Sequence, residues 1–167
     1  MKSDSPDHSP DRSLISEVIA IPASPAEMGS VHDALARFWS GVAGHRTRAI
    51  DARWRAEFET AVGEIVANVV RHAHPPGSAP NPLSVTFQLF DDRIETHLLD
   101  HGIPFVDPGP RVATVHTIDQ LPEGGWGLEL ARGLVDSLLY QRSEDGVNSW
   151  RLVKRFGTSE TDPSLPA

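Results

Sequence analysis

The stretch FETAVGEIVANVVRHAH, residues 58–74, carries Glu64, Asn68 and His72 at intervals of four. Its other residues are apolar enough to bury most of a helix. Successive helical residues lie about 100° apart. With Phe58 set at 0°, Val69, Val62, Ala73, Val66 and Val70 fall between roughly 20° and 120°, and Ile65 and Ala61 at roughly 340° and 300°. Thr60, Arg71 and Glu64 fall at roughly 200–240° on the same count, where a solvated edge accounts for them. Asn68 and His72 fall at roughly 280° and 320°, among Ala61 and Ile65. A buried polar group without a partner costs about 1–3 kcal/mol. The row therefore either finds protein partners or lines a cavity that takes a polar ligand. On this helix alone a solvated edge remains the simpler account.

Two glycine-bearing segments extend the possible chemistry. LLDHGIPFVDP, residues 98–108, places Asp100 at the end of an expected strand with Gly102 just beyond it. A carboxylate there can accept a hydrogen bond from an exocyclic amine, and glycine lets a flat ring approach the backbone. An ordinary strand-ending turn would look the same. EGGWGLELARG, residues 123–133, places Gly124, Gly125 and Gly127 at a helix start. Open backbone N–H groups at the positive end of a helix suit a phosphate, although the glycines could simply permit a turn. Two known phosphate motifs are absent. There is no G-x-x-x-x-G-K-[ST] loop. No strand directly precedes the glycines, as a dinucleotide fingerprint requires, because HTIDQLPE is polar and broken by proline.

The elements that would carry these residues follow from pattern. SLISEVIAIPA contains a strand ending at Pro22. SPAEMGSVHDALARFWSGVAG reads as a helix with Ser24 as N-cap, Pro25 at the first position and Glu27 at the third. The helix bearing the polar row starts near Asp51 and stops before Pro75. LSVTFQLF and RIETHLLD alternate about a DD turn and predict a hairpin. WGLELARGLVDSL predicts a helix, and LLYQRSEDGVNSWRLVKRF a second hairpin turning at Asp145-Gly146. The order strand, helix, helix, hairpin, helix, hairpin points to an α+β fold. It would be a two-layer α/β sandwich, with a mostly antiparallel mixed sheet and helices on one face. Residues 1–12 and 157–167, rich in Ser, Pro and Asp, are expected to be disordered tails around one domain at 13–156.

Composition narrows the function classes. The chain has 167 residues and a formal charge of −8. An acidic protein lacks the basic face that general nucleic-acid binding needs, so no direct nucleic-acid partner is expected. The absence of cysteine excludes disulfides, thiol nucleophiles and Cys-zinc sites. No apolar run approaches the roughly 20 residues that span a bilayer. The N-terminus has no signal-peptide pattern, so a cytoplasmic protein without membrane attachment is expected.

Each motif is weak alone, and their order and spacing are far more specific. EIVANVVRH resembles the E-x-x-x-N-x-x-x-H N box of the GHKL ATP-binding superfamily of gyrase, MutL and histidine kinases. DHGIPF resembles its first glycine box and GGWGLELARGLVD its second. Within that superfamily the chain is most similar to the small anti-sigma serine kinases of the RsbW and SpoIIAB type. The resemblance covers about residues 14 to 155 and implies the Bergerat ATP-binding fold. It also implies that Asn68 ligates magnesium, Glu64 is the general base and Asp100 holds the adenine amine beside Gly102. Gly125, Gly127 and Leu128 would lie at the phosphate end, and His72 would support the site. Pro104 stands where the family has a second glycine. Proline fixes φ and removes an N–H, so this loop must differ locally.

The resemblance implies a serine/threonine protein kinase. It would move the γ-phosphate of ATP to a serine of a STAS-domain anti-anti-sigma protein, and it would sequester a sigma factor. A homodimer is compatible. A binding module tuned by nucleotide, without transfer, is the alternative. Glu64 favours the kinase, since a pure binder needs no base, and Pro104 favours the module. A histidine-kinase fragment fits less well, because a strand and a helix already fill the segment where a dimerisation hairpin would lie.

Overall fold

The computed structural model describes residues 12–45, 50–72, 75, 78–107 and 126–157. Apart from Arg12 and Gly157, the two expected tails lie outside these residues, as do Ala73, Gly124 and Gly125. The elements run β1 (Ile15–Pro22), a 3-10 turn (Pro25–Glu27), α1 (Met28–Val42), α2 (Ala52–His72), β2 (Pro82–Leu89) and β3 (Arg93–Asp100). They continue with α3 (Gly127–Leu134), β4 (Ser137–Arg142) and β5 (Asn148–Arg155). The strands form one sheet in the order β1-β2-β3-β5-β4. Every neighbouring pair is antiparallel, so the α+β sandwich is present with no parallel pair among the described residues.

Period-two alternation decides which face is buried. Leu83, Val85, Phe87 and Leu89 of β2 point into the core, and Ser84, Thr86 and Gln88 point away. The helices cover the apolar face. α1 lies against β1 and β2, α2 against β3, and α3 against α2 and β4. Phe38, Phe58 and Phe87 are fully buried among them. Each such side chain contributes about 1.5–3 kcal/mol relative to exposure. Trp39 meets Phe58 edge-on at 6.0 Å between ring centroids, which ties α1 to α2.

Local caps differ in part from expectation. Ser24 is extended and makes no side-chain cap bond, and residues 25–27 form a 3-10 turn before α1 begins. Ser30 instead donates its hydroxyl to Glu27 Oε2 at 2.9 Å. α2 has a conventional start, with Asp51 Oδ1 accepting from the Trp54 amide at 2.7 Å. α3 ends at Leu134, earlier than expected, because Val135 turns to an extended conformation. The Asp136 amide then joins Val153 O. Lys154 Nζ caps the helix by donating to Leu134 O at 2.6 Å, and it also reaches Glu57 Oε2 at 3.0 Å.

The opposite face of the sheet carries Val18, Thr86, His97, Arg151 and Leu139 in one cross-strand row. Beside it Glu95 is only 2% exposed. Burial acts to raise its pKa, but hydrogen bonds from Arg151, Arg93 and His97 outweigh burial and hold it at about 2.

Candidate functional site

α2 presents the polar row that its sequence foreshadows. Glu64 and Asn68 are half-buried one turn apart, while His72 is exposed in the last turn. Among the described residues no hydrogen bond reaches the side chain of any of the three. For His72, solvation is sufficient explanation. Glu64 and Asn68 are partly desolvated, and their side chains have no hydrogen-bond partner among the described residues, which is the condition of groups that line a polar ligand site.

The first residue of α3 sits against Glu64. A Cβ built on Gly127 would lie 2.0 Å from Glu64 Oε2 and 3.0 Å from Cδ. Only glycine allows this approach. Trp126, at the N-cap position, supplies no side-chain bond, so the amides that open α3 take no acceptor from it. A carboxylate therefore stands beside a helix N-terminus. Leu128, the next residue, packs against the core cluster and anchors that end. A groove of about 380 Å³ also extends to Glu64, between Met28, Val31 and Leu35 of α1 and Thr60 and Gly63 of α2. A Cβ at Gly63 would meet nothing within 4 Å, so its floor is open.

Asp100 ends β3 on the core face and is 1% exposed. Its Oδ1 accepts from the Gly102 amide at 2.7 Å and from Asn148 Nδ2 at 2.7 Å. No hydrogen bond among the described residues occupies Oδ2, so this buried carboxylate keeps one open acceptor. Asn148 pairs with Asp100 in the β3–β5 register. Its Oδ1 accepts from Tyr140 Oη at 2.7 Å and from Arg142 Nη1. Its Nδ2 also donates to Ile103 O at 3.2 Å. Arg142 Nη1 reaches Gly102 O at 3.0 Å, and the Phe105 amide donates to Tyr140 Oη at 2.9 Å. Phe105 packs on Trp150 at 4.8 Å and on Tyr140 at 5.4 Å between centroids.

The structure thus brings Glu64 to Gly127 and Asp100 to Gly102, with His72 exposed at the end of α2. Gly125 lies outside the described residues. Sequence reasoning missed Asn148, Tyr140 and Arg142. One signal was readable: alternation in NSWRLVKR places Asn148 on the same face as Trp150 and Leu152, a polar residue at a core position.

No group of three or more metal-ligating side chains occurs among the described residues. Magnesium does not require one, because it takes oxygen ligands, retains water and is commonly completed by substrate phosphates. The carboxamide of Asn68, which has no hydrogen-bond partner among the described residues, suits such a role.

The profile of the histidine kinase-like ATPase domain matches residues 21–154. The chain belongs to this family. The histidine kinase-like ATPase domain accordingly runs from within β1 to within β5 and includes both contacts described above. Among curated proteins the domain is similar to the serine-protein kinase RsbW of Bacillus velezensis, at 37% identity over 133 residues, covering 76% of this chain and 78% of that protein. It is also similar to the serine-protein kinase RsbW of Bacillus subtilis strain 168, at 34% identity, covering 72% and 74%. No helix among the described residues is long and apolar enough to cross a membrane.

Proposed function

We propose that this histidine kinase-like ATPase domain is a cytoplasmic anti-sigma serine/threonine kinase. In this reading it binds ATP with magnesium and phosphorylates a serine of a STAS-domain anti-anti-sigma protein. The observation that carries the proposal is Glu64: a half-buried carboxylate with no hydrogen-bond partner among the described residues, packed against the first residue of α3. A base beside a helix N-terminus can accept a proton where phosphate charge is stabilised.

The roles follow from the chemistry of each group. Asp100 Oδ2 accepts from the adenine amine, and Gly102 lets the ring lie close to the backbone. Asn68 offers its side-chain oxygen to magnesium, which offsets charge on the phosphates. The amides opening α3, from Gly127 on, face the phosphates, with Gly125 assigned to the same end by the family's second glycine box; Leu128 fixes the helix start and His72 has a supporting role. The acceptor serine oxygen forms a bond to the γ-phosphorus while the bond from that phosphorus to the ADP oxygen breaks. Glu64 takes the serine proton. The groove between α1 and α2 offers an approach to Glu64 for the acceptor segment.

The charge of −8 supports protein partners over nucleic acid. It would speed encounter with a basic protein such as a sigma factor. Transfer of a phosphate to the STAS protein would then control which partner is held.

The test is incubation with γ-labelled ATP, magnesium and each STAS protein encoded in the same genome, using the wild type and Glu64→Gln. Serine phosphorylation by the wild type is expected, with the variant slower by about 10²–10⁴-fold. Binding of nucleotide with no transfer to any candidate would replace the kinase with a nucleotide-tuned binding module. Capture of a receiver-domain protein carrying phosphoaspartate would replace it with a histidine kinase.

A further inference from the structure

Pro104 interrupts the first glycine box, yet the loop around it is fastened at four backbone atoms of three residues. The Phe105 amide donates to Tyr140, Ile103 O accepts from Asn148, and Gly102 O accepts from Arg142. The Gly102 amide is taken by Asp100. Three of these four anchors come from side chains of β4 and β5. Proline removes an amide at residue 104, and the polar anchors fall on its neighbours.

The bonds form a directional chain. The Phe105 N–H donates to Tyr140 Oη, whose O–H donates to Asn148 Oδ1. The other end of that carboxamide donates from Nδ2 to Asp100 Oδ1. Two donors on Oδ1 of Asn148 and two acceptors at its Nδ2 allow one orientation of the amide. The chain ends at Asp100, with Oδ1 filled and Oδ2 open. Linked bonds of this kind reinforce one another in a buried setting, and Asn148 is 2% exposed.

We propose that Tyr140 and Asn148 are positioning residues for nucleotide-base recognition. They would link the conformation of the Pro104 loop to the acceptor direction of Asp100, in place of the flexibility a second glycine would supply. Neither residue touches the nucleotide in this account. They aim the carboxylate that does, and they hold Phe105 on Tyr140 and Trp150 at the margin of the site. The inference rests on the ATP-binding reading above.

Two variants separate positioning from general support. Tyr140→Phe removes one oxygen and keeps the ring contacts with Phe105 and Trp150. Asn148→Asp keeps the shape and replaces the Nδ2 donor with an acceptor facing Asp100. Affinities of wild type and variants for ATP and GTP would be measured by calorimetry, alongside thermal unfolding and hydrogen exchange at the Phe105 amide. Tyr140→Phe should weaken ATP about tenfold, the effect of losing one linked hydrogen bond. Asn148→Asp should weaken it by about 100-fold or more, because two buried carboxylates then share one contact. GTP affinity should change much less, so the ATP preference should fall in step, and Phe105 exchange should accelerate in Tyr140→Phe. ATP affinity within twofold of wild type in both folded variants would overturn the proposal. Equal losses for ATP and GTP would also overturn it, since they mark a structural role. A wild-type protein that binds no ATP would instead overturn the reading on which the inference rests.

Discussion

Gly127→Ala should leave the fold intact and remove most phosphate transfer. The added Cβ would lie 2.0 Å from Glu64 Oε2, whereas ordinary contact begins at 3.4 Å, so the carboxylate must retreat by roughly the difference, 1.4 Å. The clash involves the far end of a flexible side chain, not backbone. Displacing it costs about 0.5–1.5 kcal/mol in rotamer strain. Replacing glycine in a helix returns up to about 0.8–1.0 kcal/mol, so the melting temperature should hardly move. A base displaced by more than an ångström should matter far more, since misplacement of that size costs about 10²-fold in rate. The assay is the initial rate of transfer to the STAS acceptor at saturating ATP, with ATP affinity measured separately. The decisive comparison is made in the Glu64→Gln background. With the base already removed, adding Gly127→Ala should change the rate by less than about twofold. Retention of more than half the wild-type rate by folded Gly127→Ala would refute the argument. So would an equal fractional loss in both backgrounds, which would place the effect at the phosphates and not at Glu64.

Asn68→Ala should abolish the magnesium-dependent part of ATP binding and leave unfolding unchanged, because Asn68 makes no hydrogen bond within the described structure; calorimetry with and without magnesium checks this. Asp100→Ala should weaken ATP by about 10–100-fold through loss of a buried charged acceptor, and it should narrow the preference over GTP, whose ring has a carbonyl at the amine position. Glu95 titrates at about 2 in the folded protein against an ordinary 4.5. A depressed carboxyl contributes stability above its unfolded value, and that contribution is lost as pH falls through the folded value. The unfolding midpoint should therefore drop between pH 4.5 and 2, less steeply in Glu95→Gln, which should also cost about 1–3 kcal/mol at neutral pH by leaving Arg93 and Arg151 around a neutral amide.

Patterns within one element were the legible part of this protein. The alternation of LSVTFQLF and RIETHLLD located the β2–β3 hairpin, and the apolar arc of α2 located the helix that carries Glu64 and Asn68. Gly146, with φ of 81°, forms the turn that Asp145-Gly146 announced. Ser24 illustrates a limit of local rules: its identity suits an N-cap, but Pro25–Glu27 adopt a 3-10 turn that leaves its hydroxyl unused. The end of α3 depends on Lys154, 20 residues later, and no window around Leu134 contains that lysine.

The site was legible to the same degree. The four-residue spacing exposed the row on α2, but angle alone placed His72 nearer the apolar arc than its exposed position allows. The proximity of Glu64 and Gly127 depends on how α2 and α3 pack. The Asp100–Asn148 bond spans 48 residues and depends on the register of β3 against β5. Glu95 appeared as one acidic residue on a strand, because the arginines that surround it come partly from another strand.

The interior position of β5 has a consequence for synthesis. The last of the described strands lies between β3 and β4, so the sheet cannot close while the chain is still being extended through that region. At about 5–20 residues per second, the 48 residues from Asp100 to Asn148 take roughly 2–10 s to translate. Throughout that interval the edge of β3 that will receive β5 lacks its native partner. Asp100 and Glu95 also lack Asn148 and Arg151, their partners on β5. A growing chain therefore holds α2 and the β2–β3 hairpin before the proposed adenine site around Asp100 is complete. A ribosome stalled before Asn148 would display an unpaired strand, a target for chaperones or for pairing with another nascent chain, and nucleotide could aid folding only after β5 has emerged.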